Sequence, residues 1–260
     1  MANTLLDLFE KNHQLLEWRD KATLLSRQLV MGFSGSSKAV VMASALSEQV
    51  PKILIVTSTQ NEAEQLTGDL SAILGEDKVY SFFADDVVAA EFIFASPEKT
   101  HSRLESLNFL MDKESSGILV TSLVGTKLHL PNPEVYKDSR IDLTLGEEHD
   151  LEALSKHLTH IGYQRVEQVL SPGEFSRRGD ILDIYELTAE LPYRLEFFGD
   201  EIDGIRQFDS DSQKSLDNLE HIIVSPADDI ILTREDYQRA EKALESAVSK
   251  AEGPHKAYLE

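Results

Sequence analysis

Three short apolar segments separated by helical stretches are the feature that most constrains the fold of the first half of the chain. The segments are ILIVTS at 53–58, VYSFFA at 79–84 and GILVTSL at 117–123. Between them, residues 60–74 and 97–112 carry apolar side chains at helical spacing. Continuous apolar strands that alternate with helices are typical of a parallel sheet that is covered on both faces. Residues 1–138 are therefore predicted to form an α/β domain, with an exit loop at PNPEV (131–135).

The pattern changes after Ser139, where one helical stretch is followed by several short strands. LEALSKHLTHIG at 151–162 predicts a helix that ends at Gly162. The strand-rich stretches that follow are interrupted by Gly179-Asp180 and Gly199-Asp200, which are typical turn residues. These features predict an α+β domain with an antiparallel sheet over residues 139–227. Apolar residues at helical spacing after Thr233, an N-cap candidate, predict that residues 228–260 are helical.

Composition narrows the class of protein. Hydrophobic residues make up 41% of the chain, which is enough for packed cores, and there is no cysteine for a disulfide framework or a thiolate metal site. No apolar run approaches the ~20 residues that span a bilayer, and the N-terminus lacks the layout of a signal peptide. We therefore expect a cytoplasmic protein without a membrane partner.

The chain is strongly acidic, with 25 Lys and Arg against 46 Asp and Glu and a net charge of −21. Residues 139–227 carry 8 basic against 19 acidic side chains. Because binding to a phosphate backbone depends on neutralisation by Lys and Arg, we expect no strong nucleic-acid binding by this chain.

The stretch GFSGSSKA at 32–39 nearly matches a phosphate-binding loop, G-x-x-x-x-G-K-[ST], that would follow a predicted strand LVMGF at 29–33. Gly32 and Gly35 give the backbone freedom, and Lys38 is the expected cation. Ser37 stands in place of the second glycine, and Ala39 in place of the hydroxyl residue that would bind Mg²⁺. Since phosphoryl transfer depends on Mg²⁺, we predict a degenerate loop, no cofactor and no catalysis by this chain. Weak anion binding through Lys38 stays open.

Other candidate chemistry has simpler interpretations. Asp85-Asp86 after VYSFFA is an imperfect Walker-B match, and a solvated loop or a helix cap is the simpler interpretation. His157 and His160 have a spacing that suits metal ligands, but no third ligand is evident and two surface histidines are the simpler interpretation. A group of carboxylates would suit a metal-dependent nuclease, although no Lys lies among them. They are Asp180, Asp183, Glu196, Asp200, Glu201 and Asp203.

The strand RLEFF at 194–198 carries the most informative pattern. Side chains alternate between the faces of a strand, so Leu195 and Phe197 share the core face. Arg194, Glu196 and Phe198 share the other face. A large aromatic on a polar face indicates either that another element covers it or that the face binds a partner, since aromatic and Arg side chains dominate interface hot spots.

Arg177 and Arg178 in the preceding hairpin add positive charge to this acidic domain. Two of its 8 basic residues are adjacent here, which favours an acidic surface on the partner. Both are included in the candidate site.

Two long strings in this region resemble a known family. GYQRVEQVLSPGEFSRRGDILDIYEL and LPYRLEFFGDEIDGIRQFDSDSQKSL are similar to the UvrB-like N-terminal region of the bacterial transcription-repair coupling factors, Mfd. The resemblance is dense over residues 162–216 and weaker over PEKTHSRLESLNFL and GILVTSL. It implies a P-loop-type, UvrB domain 1A-like parallel sheet with a degenerate loop over 1–138. It further implies an inserted UvrB domain 2-like domain over 139–227 and the start of domain 1B over 228–260.

The resemblance also implies a partner. In this family domain 2 recruits UvrA, the damage sensor of nucleotide excision repair, and the matching positions here are Arg178, Arg194 and Phe198. Full-length proteins of the family use further domains to bind RNA polymerase and to translocate on double-stranded DNA with ATP. We do not expect these two activities of this chain.

Two departures separate the chain from UvrB itself. UvrB-like sequences carry an intact G-x-T-G-S-G-K-T loop, and they insert a long aromatic-rich hairpin where this chain has 15 residues, 85–99. The leading hypothesis is a non-catalytic adaptor that binds UvrA. A UvrB-type ATP-dependent helicase fragment with residual nucleotide binding, and an interaction domain unrelated to repair, stay open as alternatives.

Overall fold

The computed structural model describes residues 12–22, 27–84, 97–231 and 234–250. They fall into two units, the first within residues 1–129 and 187–190 and the second within residues 130–186 and 191–260. The domain borders predicted at residues 138 and 227 stay predictions.

The first unit is built on a three-stranded parallel sheet. Its strands are β1 (Lys52–Thr57), β2 (Val79–Phe82) and β3 (Gly117–Ser122), in the order β1-β3-β2. Its helices are α1 (His13–Ala22), α2 (Ser37–Ala45), α3 (Gln60–Leu74) and α4 (Pro97–Met111). Every residue of the central strand β3 is buried, as in a parallel strand with both faces covered. The predicted α/β class is confirmed for this part of the chain.

Helix α3 shows how the local sequence sets these elements. Thr59 caps its N-terminus by accepting a hydrogen bond from a main-chain amide of the first turn at 3.2 Å. Gly75 follows its last residue with a φ of 97°, a conformation that favours glycine. Ala63, Leu66 and Leu70 lie at helical spacing and share a buried core with strands β1 and β3. The predicted bounds of this helix are therefore confirmed.

The predicted strand at 29–33 is wrong. Residues 27–34 have no regular secondary structure, and Leu29 and Met31 are mostly exposed. Strand β1 is consequently an edge strand among the described residues, with Leu54 and Val56 exposed. An apolar run is stable as a strand where neighbouring elements bury its side chains. The described part of the chain provides no such cover for Leu29 and Met31.

The second unit contains a six-stranded sheet in the order β10-β9-β8-β7-β6-β5. Its strands are β5 (Gln164–Arg165), β6 (Glu174–Arg178), β7 (Ile181–Ile184), β8 (Tyr193–Phe198), β9 (Glu201–Phe208) and β10 (Ser215–Leu219). Neighbouring strands are antiparallel except for β5 and β6 at one edge, which are parallel. A separate two-stranded sheet pairs β4 (Ile141–Thr144) with β11 (His221–Val224). The predicted antiparallel sheet is confirmed apart from the edge pair.

The described helices of the second unit are α5 (Pro133–Ser139), α6 (Leu151–His160) and α7 (Arg234–Lys250). Helix α5 replaces the loop predicted at 131–135, because Asn132 caps its first turn and Pro133 takes the first helical position, where its fixed φ is favourable. Thr233, the predicted cap of the last helix, lies outside the described residues. No helix in the described ranges is long and apolar enough to cross a membrane.

Helix α6 covers one face of the six-stranded sheet. Leu154 and Leu158 of the helix share a buried core with Leu182, Leu195 and Phe197 of the sheet. The predicted core face of the RLEFF strand is thereby confirmed, and the opposite face of the sheet remains for the polar side chains.

Candidate partner-binding site

Two Gly-Asp turns place Arg178 and Phe198 at the same end of the six-stranded sheet. Arg178 ends β6 before Gly179-Asp180, and Phe198 ends β8 before Gly199-Asp200. The φ angle is 63° at Gly179 and 68° at Gly199, as in two-residue hairpins with glycine at the first central position. Because β6 and β8 run in the same direction on either side of β7, their last residues lie at one end of the sheet.

Strand pairing gathers charged side chains on the face opposite α6, termed the outer face. Asp183 of β7 pairs with Arg194 of β8, which pairs in turn with Arg206 of β9. In the next row, Arg178 and Glu196 flank the same residue of β7. Side chains two positions apart on a strand share a face. The outer face therefore carries Arg178, Asp183, Arg194, Glu196, Phe198 and Arg206.

Asp183 is the centre of the outer face. Its side chain is fully buried, yet it binds two guanidinium groups. Nε and Nη2 of Arg194 donate to its two carboxylate oxygens at 2.7 and 2.9 Å. Nη2 of Arg178 donates to Oδ2 at 2.8 Å, so this oxygen accepts from both arginines. One buried negative charge thus faces two positive charges, and the cluster keeps a net positive charge.

Arg194 is held from several directions and has 14% of its side chain exposed. Its guanidinium carbon lies over the Phe208 ring, 4.4 Å from the centroid, which is a cation–π contact. Nη2 also donates to Oε1 of Gln213 at 3.2 Å, and Gln213 is fixed by two further hydrogen bonds to main-chain oxygens. The hydrogen bonds to Asp183 raise the pKa of Arg194. Arg194 is therefore a charged part of the face that contacts Asp183, Phe208 and Gln213.

Arg178 and Phe198 are the most exposed of the six side chains assigned to the outer face. The side chain of Arg178 is 51% exposed, and Phe198 is 82% exposed. No element within the described residues covers the Phe198 ring, although such cover is one of the two interpretations of its place on a polar face. Glu196 lies in the same row of the sheet as Arg178 and on the same strand as Phe198, and it accepts a hydrogen bond from Nη2 of Arg206 at 2.6 Å, in a partly exposed pair.

Arg177 does not lie on the outer face. In the sheet it pairs with Leu182, a core residue, and its Nη1 donates to Glu152 of α6 at 2.8 Å. Adjacent residues on a strand point to opposite faces, so Arg177 and Arg178 do not form a common patch.

The predicted phosphate-loop residues lie before and within the start of α2 in the first unit. Gly32 and Gly35 have φ angles of 94° and 54°, and the helix begins at Ser37. The Ser37 hydroxyl accepts a hydrogen bond from the Ser34 amide at 3.0 Å and donates to the Ser34 carbonyl oxygen at 2.6 Å. One loop amide is thereby occupied by a side chain of the loop itself.

Lys38 also has a partner within the chain. Its Nζ lies 3.4 Å from Oε1 of Glu62 in α3, and the Ser58 hydroxyl donates to the other carboxylate oxygen at 2.8 Å. The hydrogen bond from Ser58, followed by that from Lys38, lowers the pKa of Glu62. Ala39 is fully buried. The loop borders a cavity of about 660 Å³ with largely apolar lining, including Trp18.

The other candidates do not assemble into a site. Within the described ranges, no group of three or more His, Asp or Glu side chains is placed to hold a metal ion. His157 Nε2 lies 3.2 Å from the Ser139 main-chain oxygen. Of the six carboxylates considered for a nuclease, Asp183 and Glu196 are paired with arginines. Asp85-Asp86 lies outside the described residues.

The central place of Asp183 on the outer face, and the support of Arg194 by Phe208 and Gln213, are not among the sequence-based predictions. A signal for Asp183 existed. Asp183 lies between Leu182 and Ile184, so alternation sets it on the face opposite these two apolar residues, whereas its pairing with Arg194 is visible only in the structure. Gln213 offers no such signal, because its place depends on an unusual φ of 58° in the turn after β9.

The chain is similar to known proteins over the region that contains the outer face. Residues 141–229 match the UvrB interaction domain family, and this range contains the whole outer face. The transcription-repair-coupling factor of Bacillus subtilis (strain 168) is 35% identical over 225 residues, 86% of this chain and 19% of that protein. The chain is similar to a segment of the transcription-repair-coupling factors. The predicted resemblance to their UvrB-like N-terminal region is confirmed.

The same similarity extends to other species. The factor of Staphylococcus haemolyticus (strain JCSC1435) is 33% identical over 219 residues, 84% of this chain and 19% of that protein. That of Staphylococcus aureus (strain bovine RF122 / ET3-1) is 32% identical over the same number of residues, again 84% and 19%. The chain thus spans about a fifth of the length of the curated relatives it matches.

Proposed function

We propose that this chain is a non-catalytic adaptor that recruits UvrA in transcription-coupled nucleotide excision repair. The observation that carries the proposal is the exposed Phe198 on the same face of the sheet as the arginine cluster. An aromatic and an Arg side chain on a rigid sheet are typical of the residues that dominate binding energy at protein interfaces. The match of residues 141–229 to the UvrB interaction domain family supports a binding role for the domain that carries this surface.

The chemistry of the outer face defines what the partner supplies. Two arginines share the single negative charge of Asp183, so the cluster keeps a net positive charge, and Arg178 is its exposed member; the partner therefore presents a carboxylate to it. Phe198 inserts into an apolar pocket of the partner. Arg194 contributes through its place in the cluster, since its donors are largely occupied within the chain. Glu196 and Arg206 form a polar border.

The first unit acts as a scaffold in this proposal. Its phosphate loop is degenerate, because Ala39 offers no oxygen to Mg²⁺ and the Lys38 ammonium is paired with Glu62. We assign residues 1–138 to a UvrB domain 1A-like P-loop-type fold, 139–227 to a UvrB domain 2-like fold and 228–260 to the start of domain 1B. Binding to RNA polymerase and ATP-driven translocation on double-stranded DNA belong to other parts of a full-length factor.

Titration calorimetry of the 260-residue chain with UvrA from the same genome tests the proposal. We expect the unmodified chain to bind. Arg178→Ala and Phe198→Ala each remove an interface anchor, and a hot-spot loss of at least 2 kcal/mol corresponds to binding weaker by about 30-fold. Thermal unfolding of each variant verifies that it is folded.

Arg177→Ala is the matched control. It removes the same charge from the adjacent residue, but on the side of the sheet that faces α6, so we expect affinity within about twofold of the unmodified chain. Full affinity in both Arg178→Ala and Phe198→Ala would reject the assigned surface. Absence of binding by the unmodified chain would reject the proposal as a whole.

A further inference from the structure

We infer that Asp183 is a positioning residue, which holds the guanidinium of Arg178 in place for a carboxylate of the partner. The inference rests on the proposed function, in which Arg178 meets the partner. It assigns a role to a fully buried carboxylate that itself touches no partner.

Arg178 needs such support because of where it lies. It is the last residue of β6, directly before a turn, and half of its side chain is exposed. A long side chain in this position loses rotamer freedom when a partner immobilises it, which weakens binding. The hydrogen bond from Nη2 to Oδ2 of Asp183, at 2.8 Å, restricts the guanidinium before the partner arrives.

Asp183 can serve as a fixed point because Arg194 orients its carboxylate. The two parallel hydrogen bonds from Arg194 engage both oxygens and leave Oδ2 directed to Arg178 as well. Arg194 is in turn held by the Phe208 ring and by the Gln213 side chain. Phe208 and Gln213 thus hold Arg194, and Arg194 orients the Asp183 carboxylate. Asp183 in turn holds Arg178.

Electrostatics and positioning predict opposite results for Asp183→Asn. The substitution removes a negative charge and makes the cluster more positive, so charge alone would strengthen binding to an acidic partner surface. It also removes the carboxylate that accepts from both arginines and so frees Arg178. The positioning role predicts weaker binding in spite of the gain in positive charge.

The test is titration of the 260-residue chain and its variants with UvrA. We expect Asp183→Asn to bind about three- to tenfold more weakly, the effect of one side chain that must be immobilised on binding. Glu152→Gln is the matched control, because it removes the carboxylate that pairs with Arg177 at the same distance of 2.8 Å, and its affinity should be unchanged. Equal or tighter binding by Asp183→Asn would overturn the inference.

A double-mutant comparison separates positioning from a general loss of structure. In the Arg178→Ala background, Asp183→Asn should cause no further loss, because the side chain it positions is gone. A loss of the same size in both backgrounds would overturn the inference. If Phe198→Ala weakens binding while Asp183→Asn does not, the inference fails and the proposed function stands. If the unmodified chain does not bind, the proposed function itself fails.

A measurement on the unmodified chain avoids dependence on the folding of Asp183→Asn. Nitrogen-15 NMR of the free chain should show separate, slowly exchanging guanidinium signals for Arg178, assigned by their absence in Arg178→Lys. Averaged signals like those of free arginine would show that Asp183 does not hold the group, and would overturn the inference.

Discussion

Phe197 and Phe198 are adjacent in β8, and truncation of each to Ala tests the placement of the strand. Phe197 is 6% exposed in the core under α6, whereas Phe198 is 82% exposed on the outer face. Removal of a buried Phe side chain lowers the free energy of unfolding by about 3–5 kcal/mol, including the cavity that remains. Full burial of a Phe stabilises by about 1.5–3 kcal/mol, and Phe198 keeps less than about a fifth of its surface buried. Its removal should therefore cost less than about 0.6 kcal/mol.

Urea unfolding followed by circular dichroism measures both values in the same chain. We expect the midpoint of the second unit to fall strongly in Phe197→Ala and to stay nearly constant in Phe198→Ala, with little change in the slope. A destabilisation of Phe198→Ala by more than about 2 kcal/mol would show that this ring is buried, and would refute the outer face as a free surface. The two substitutions are of the same chemical kind, so each serves as the control for the other.

Two further predictions concern pH and nucleotide. Hydrogen bonds from the main-chain amides at the start of α6 lower the pKa of the Asp150 carboxyl in the folded chain. Ionised Asp150 therefore stabilises the fold at pH values above its pKa in the unfolded chain. This stabilisation is lost as the pH falls through the lower pKa of the folded chain. The melting temperatures of the unmodified chain and Asp150→Ala should differ at neutral pH and converge in acid, whereas a difference that persists in acid would contradict this. Titration calorimetry with ATP and Mg²⁺ should give no binding at micromolar concentration, because Ala39 supplies no Mg²⁺ ligand and Lys38 is paired with Glu62. A micromolar, Mg²⁺-dependent site would reject the degenerate loop.

Elements with a strong local signal could be predicted from the sequence. Apolar residues at helical spacing predict α3 over residues 60–74, and in the structure the Thr59 cap and Gly75 lie at those two ends. The two faces of β8 follow from alternation alone, which separates Phe197 from Phe198 without knowledge of the neighbouring strands.

Features that depend on distant residues could not be predicted in the same way. The run at 29–33 looks like a buried strand, but its structure depends on neighbours that the described chain does not supply. Adjacent arginines at 177 and 178 look like one patch, yet the sheet directs them to opposite faces. The role of Asp183 depends on the register of β7 against β8, and on a turn that brings Gln213 to Arg194.

Site-specific photo-cross-linking to UvrA tests most directly whether the partner binds the outer face. A benzophenone side chain in place of Phe198 lies at the centre of the proposed contact, and the same group in place of Leu54 lies at an exposed apolar position of the first unit. We predict a cross-link to UvrA from position 198 and none from position 54. A cross-link from position 54 without one from position 198 would contradict the assignment of the outer face as the UvrA-binding surface.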